Sequence, residues 1–438
     1  MSSSDDAKYS HLKALRPAAR RLTKIERGEA ADVPIGAERL AMMLGATTCR
    51  NRCGEHLVLK RWFAEPSGCE PPAQVVRLLA PDAHESSLDP EQWLFLDTET
   101  TGLSGGTGTY PFLIGVAWWD AGGLQVEQLF MRDYHEEQSV LIALQERLAE
   151  RRVLVTFNGK SFDWPLLETR FQMSRTIVPR SPLVHLDLLH PARNLWRLRL
   201  GSVRLIELER HILKLDRGPD VMSELIPSIY FEYVRGGSPD PLLPIFRHNQ
   251  MDLCGLAMLA EKMFSLLSSP EDSGGDAFEL YGASRILERR GERKRARGLC
   301  ARAVQTGLPD AVDRTARRGL ALLAKRERDY PAASALWESL CGDSPEGLDA
   351  YEQLAIYYEH HAREPQQAAK LTNQALAALR NLSRAGQTDS TRYRKLQTRL
   401  EHRLARLTRK LSAQNGRDLI CQKLAIQHES QSPPAHPK

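Results

Sequence analysis

The chain has 438 residues, 42% hydrophobic and 26% charged, an ordinary balance for a folded protein of two or three domains. No apolar run approaches the ~18 residues of a membrane span. The start, MSSSDDAKYSHLKALRPAARRL, lacks the apolar core of a secretion signal, so the expectation is a cytoplasmic protein without membrane contact. Seven cysteines do not make a disulfide scaffold at this length, and the net charge of +5 is mild.

Residues 1–35 are polar, small and basic, and are expected to be disordered. Residues 36–90 read as an N-terminal extension packing on the domain that follows, with strand character in Glu55–Phe63. Cys49, Cys53, His56 and Cys69 invite a zinc reading. Their spacing fits no common zinc pattern, so ordinary thiols are the expectation.

Residues 91–267 carry the pattern of one α/β domain. Trp93-Leu94-Phe95-Leu96 predicts a buried strand that ends in Asp97-Thr98-Glu99, followed by a Gly-rich loop, Gly102–Gly108. Phe112–Trp119 and Leu124–Met131 flank the turn signal Asp120-Ala121-Gly122-Gly123 and predict a hairpin. A helix over Glu136–Arg151, a strand over Val153–Phe157, a helix over Phe162–Met173 and a strand over Leu183–Leu186 follow, then helices to Leu267. The order implies a mixed five-stranded sheet flanked by helices.

Residues 268–275, Ser-Ser-Pro-Glu-Asp-Ser-Gly-Gly, read as a linker. Residues 276–412 are almost wholly helical and repeat with a period of 34: Leu320-Ala321 returns as Leu354-Ala355, Pro331 as Pro365, Ala335 as Ala369. That period is the tetratricopeptide one, and a weaker unit runs from Leu280 to Val304. The small residues are expected where the two helices of a unit touch; an unrelated helical bundle is the alternative. Residues 413–438 are polar and Pro-rich, the composition of a disordered tail.

The chemistry is concentrated in acids. Side chains alternate along a strand, so Asp97 and Glu99 point one way and Thr98 the other. Paired carboxylates at a buried strand end repel one another unless a cation neutralises them, and oxygen ligands suit Mg²⁺ or Mn²⁺. Asp163 opens a helix after a strand, near its positive end. His248 and Asp252 stand one helical turn apart, hence on one face. Asp97, Glu99, Asp163 and Asp252 converging on one point would hold two divalent cations for in-line attack at phosphorus, with His248 orienting the attacking water or taking its proton.

On these residues the segment 94–262 resembles DEDD-type 3′–5′ exonuclease domains with the ribonuclease H-like fold, and more narrowly the bacterial YprB-like group. The resemblance rests on Leu96–Tyr110, Asn158–Asp163 and His248-Asn249-x-x-Asp252, with Ser202–Glu209 and Ile226–Tyr230 fitting the helical segment ahead of the last motif. It implies metal-binding catalytic roles for Asp97, Glu99, Asp163 and Asp252 and the base role for His248. In that family a catalytic His stands five residues before the Asp, and a spacing of four accompanies Tyr; His248 has the shorter spacing. Thr98, Gly102, Asn158 and Lys160 are expected at the substrate. The alternatives are a flexible loop for Gly102, a turn cap for Asn158 and solvent for Lys160, while Asp187 reads as structural.

Two basic stretches, Arg285–Arg297 and Arg392–Lys410, offer helix stripes for a phosphate backbone, or else solvated faces. The expected activity is a metal-dependent 3′–5′ exonuclease acting on DNA or RNA in repair or processing, with a single-stranded 3′ end as substrate. The repeats would serve a protein partner such as a helicase. A catalytically inactive scaffold and a ribonuclease H-like endonuclease are the competing expectations.

Overall fold

The computed structural model describes residues 37–66, 72–81, 83, 89–102, 106–176, 184–270, 275–342 and 344–429. The expected disordered start and Cys69 lie outside them. Two compact units emerge. Among the described residues, one holds those within 1–70, 84–187 and 215–258, and the other those within 71–83, 188–214 and 259–438.

The first unit is built on a seven-stranded sheet in the order β1-β2-β5-β4-β3-β6-β7. The strands are β1 Thr47–Asn51, β2 Gly54–Phe63, β3 Trp93–Thr100, β4 Pro111–Asp120, β5 Gly123–Phe130, β6 Val153–Thr156 and β7 Val184–Asp187. β3, β4 and β5 form the antiparallel start, and β6 and β7 add in parallel beyond β3. The β4–β5 turn has Ala121 at φ 50° and Gly122 at φ 76°, the two positive values a tight hairpin of the primed type needs. The expected five strands become seven because β2 pairs antiparallel with β5 from Leu57 to Phe63 and carries β1 with it. The strand character of 55–63 was local and legible. Its partner lies 61 to 73 residues downstream, and a pairing over that distance leaves no trace in the residues of either strand.

Apolar side chains from both faces of this sheet and from the helices Glu137–Ala149, Asp163–Met173 and Ile226–Val234 make one buried cluster. Phe112 stacks on Tyr230 with ring centroids 4.0 Å apart, and the Tyr230 hydroxyl donates to the Met131 carbonyl at 3.0 Å. The start of the helix Leu243–Ser268 closes the cluster through Ile245 and Phe246.

In the second unit the helices Ala277–Arg289, Arg293–Thr306, Asp310–Arg326, Tyr330–Glu338, Pro345–His360, Pro365–Arg384 and Ser390–Glu429 each pack on the next. The last one continues to Glu429, past 413, where the composition reads as a tail. The unit also recruits the helix Leu189–Leu200 from ahead of 268–275: it packs on Ala277–Arg289, and Trp196 Nε1 donates to Glu279 Oε1 at 2.8 Å. The contacts thus do not follow the expected division at 268–275.

Residues 34 positions apart can be compared in place. Ala321 and Ala355 are fully buried, and Pro331 and Pro365 sit in first turns. Ala335, however, is exposed; Ala333 and Trp337, one helical turn apart, form the inward face instead.

Part of each basic stretch is engaged within the chain. Glu359 accepts from Arg403 at 2.8 Å, Arg406 at 2.7 Å and Lys410 at 2.9 Å, and Arg399 pairs with Glu352. In the other stretch Arg297 pairs with Glu327 and Asp329, Arg295 with Glu292, and Arg290 donates to the Leu78 carbonyl. These pairs take part of each stretch out of reach of a phosphate backbone.

Candidate metal centre

The site begins at the end of β3. Asp97 pairs with Gly115 on β4, and Gly115 pairs with Gln128 on β5, so these three residues share one face of the sheet. Asn249, wholly buried on the helix Leu243–Ser268, lies over Gly115. Its Nδ2 donates to Asp97 Oδ2 at 2.8 Å, while its Oδ1 accepts from Gln128 Nε2 at 2.8 Å. Gln128 is held in turn by the Phe246 carbonyl and by Gln250. A Cβ at position 115 would lie 2.2 Å from Asn249 Oδ1, so only glycine lets the amide reach Asp97.

The same helix presents His248 and Asp252 on one face. His248 Nε2 lies 3.8 Å from Glu99 Oε1 and 3.5 Å from Asp252 Oδ2. Ligand atoms of Glu99, His248 and Asp252 all fall within 4.8 Å of one another, the group among the described residues able to hold a metal ion. The segment before the helix Ile226–Val234 adds two residues. Asp220 receives His248 Nδ1 between its two carboxylate oxygens, each at 2.9 Å. Arg217, nearly buried, pairs with Asp252 through one nitrogen and approaches Asp220 with another at 3.4 Å. Asp163 starts its helix as expected, and its Oδ1 accepts the Thr98 hydroxyl.

The electrostatics are one-sided. Burial, then the charges of Asp252 and Asp163, push the Asp97 carboxyl well above its ordinary range. Burial, then Asp97 and Asp252, do the same to Glu99. Asp163 rises to about 6, chiefly through burial, although the Thr98 hydroxyl holds it back. At Asp220 burial works against the charge, but the hydrogen bond from His248 and the nearby Arg217 leave it below the usual carboxylate value. Arg217 and His248 thus leave these acids short of positive charge. The donors, carboxylate oxygens with one imidazole nitrogen, fit a divalent cation.

The other expected substrate residues fare differently. Thr98 is buried and gives its hydroxyl to Asp163. Gly102 lends its carbonyl to the Thr100 hydroxyl at 2.8 Å; Leu103 to Gly105 lie outside the described residues. Asn158 and Lys160 are exposed on a loop whose backbone N–H groups donate to Asp187, at 2.9 Å and 3.1 Å, so Asp187 shapes that loop. The zinc reading finds His56 buried, with Nδ1 against Ser139 Oγ at 2.8 Å and its pKa pushed down to about 4 by burial; Cys49 and Cys53 are free.

Sequence reading missed Arg217, Asp220 and the role of Asn249. Asn249 stood inside a quoted motif, and a buried amide next to a candidate ligand is a readable signal. Asp216-Arg217-Gly218-Pro219-Asp220 has the composition of an ordinary turn.

Residues 94–264 match the RNase H superfamily. Over 324 residues the chain is 32% identical to the uncharacterized protein YprB of Bacillus subtilis (strain 168), covering 73% of this chain and 75% of that one. No helix among the described residues is long and apolar enough to cross a membrane.

Proposed function

The chain belongs to the YprB family and carries an RNase H superfamily domain, and from that premise we propose that it is a divalent-metal-dependent nuclease trimming nucleic acid from a 3′ end. The observation that supports the reading is the gathering of acids at the end of β3: burial, and then the charges of neighbouring acids, raise the carboxyls of Asp97 and Glu99, and burial raises that of Asp163. A scaffold would gain nothing from that destabilising arrangement. Two Mg²⁺ or Mn²⁺ ions are the cofactors that the resemblance implies. Bound there, they would acidify the attacking water and neutralise charge on the phosphate and its leaving oxygen.

The chain's own residues prepare that chemistry. Asn249 fixes Asp97 through Oδ2 and leaves Oδ1 free to coordinate. Arg217 engages Asp252 through Oδ1, while Oδ2 lies 3.5 Å from His248 Nε2. Asp163 contributes the acid from the neighbouring helix, and the buried Arg217 supplies fixed positive charge where the substrate's phosphate adds negative charge. The helical hairpins of the second unit are read as tetratricopeptide-like repeats that hold a protein partner, such as a helicase, or a longer strand.

The test is cleavage of 3′- and 5′-labelled DNA and RNA, single- and double-stranded, by purified protein with Mn²⁺ or Mg²⁺. Metal-dependent shortening from the 3′ end is expected, and chelator should stop it. Internal cuts would favour a ribonuclease H-like endonuclease. No cleavage of any substrate would return the scaffold reading.

A further inference from the structure

The resemblance casts His248 as a general base. We propose instead that His248 is a metal ligand: its Nε2 joins Glu99 and Asp252 around one divalent cation, and Asp220 holds the ring for that purpose. The inference rests on the nuclease reading and deepens it, because it changes which metal the site prefers.

Three observations carry it. The first is distance. Atoms bound ~2.1 Å from one ion lie about 3–4 Å from each other, and His248 Nε2 stands 3.8 Å from Glu99 Oε1 and 3.5 Å from Asp252 Oδ2. The nitrogen is thus within that range of an oxygen from each acid.

The second is the far side of the ring. Both oxygens of Asp220 lie 2.9 Å from Nδ1. A carboxylate accepts only, so Nδ1 carries the proton, and in the neutral ring Nε2 keeps its lone pair. An imidazole anchored through its other N–H to a carboxylate is how ligating histidines are oriented and made more basic toward a metal.

The third is the spacing on the helix. At about 100° per residue, four residues return to within about 40° of the starting direction, whereas five end about 140° away. His248 and Asp252, four apart, therefore grip one point together, as paired ligands one turn apart do on other helices. A nitrogen donor turns an all-oxygen site, suited to Mg²⁺, into a mixed one that favours Mn²⁺.

The experiment loads the full-length protein with Mn²⁺ and reads nitrogen hyperfine coupling by pulsed electron paramagnetic resonance, alongside Mn²⁺ affinity. The wild type should show nitrogen coupling, which should change to the ¹⁵N pattern when only histidine is labelled, a result that needs no variant to fold. His248→Gln should lose the coupling and bind Mn²⁺ at least about tenfold more weakly. His248→Asp, returning an oxygen to the position, should shift the preference toward Mg²⁺. Mn²⁺ bound to the wild type without nitrogen coupling overturns the ligand assignment and leaves the nuclease reading standing. No Mn²⁺ binding at all overturns both.

Discussion

Two carboxylate neighbourhoods in this chain are opposites. Around Asp97, Glu99 and Asp163 acids outnumber cations, and burial with mutual repulsion drives their carboxyls up. Around Glu359, burial alone would do the same, but hydrogen bonds from Arg406 and Lys410 carry it down to about 2. Arg403 adds a third cation at 2.8 Å. One neighbourhood is complete within the chain; the other is short of positive charge that something from outside has to bring. The lesson is that a cluster of charge reveals function by what it lacks. On the long basic helix, conspicuous in sequence, Arg399, Arg403, Arg406 and Lys410 are paired with Glu352 or Glu359.

Neutralising one acid in each place should give effects of opposite sign. Asp97→Asn should abolish cleavage and yet raise the melting temperature of the metal-free protein, by about 2–4 °C for each kcal/mol of repulsion relieved. Glu359→Gln should leave cleavage of short oligonucleotides intact and cost ~2 kcal/mol, less than a fully buried pair because Arg406 and Lys410 are half exposed. Melting curves and turnover on the two variants check both signs. If Asp97→Asn melts lower than wild type, the repulsion argument fails.

Titration sharpens the contrast. Asp163 moves from 3.8 to about 6, so its neutral form favours the fold below about pH 4, and that contribution is lost as pH rises through about 6. Glu359 moves from 4.5 to about 2, so its contribution stands above about pH 4.5 and disappears as pH falls toward 2. Metal-free protein should accordingly melt highest in mildly acidic solution. Saturating Mn²⁺ at ~100 times its dissociation constant should restore about 2.7 kcal/mol on the neutral side and little at acid pH. Equal Mn²⁺ stabilisation at both ends would disconnect the ion from these acids.

Salt dependence gives the smallest effect. Of the eight Lys and Arg between Arg392 and Lys410, four meet Glu352 or Glu359. With a slope of about −0.7 per phosphate for single strands, that helix should add no more than about −3 to the logarithmic salt slope of binding. A contribution near −6 would mean that nucleic acid displaces the internal pairs.

Much of this was legible where it was local. The apolar run into Asp97, the Asp120–Gly123 turn, the helix opened by Asp163 and the His248–Asp252 turn all lie within a few residues of their own signals. What stayed hidden depends on distant partners. β2 joins β5, Arg217 finds Asp252, Trp196 packs outside the α/β segment that contains it, against Glu279, and the inward face of the helix Tyr330–Glu338 runs through Ala333 in place of Ala335. A pattern of three or four residues says which face is apolar, not what will cover it.

Gly115 and Asn249 lie 134 positions apart in sequence and within a bond length of collision in space. Neither can be replaced freely while the other stays: any larger residue at 115 evicts the amide, and without the amide nothing requires glycine. Across a lineage the two should therefore be inherited as a couple, and a descendant that lets one drift releases the other. Reading the two positions together in many relatives would date the moment at which a branch stopped needing Asp97.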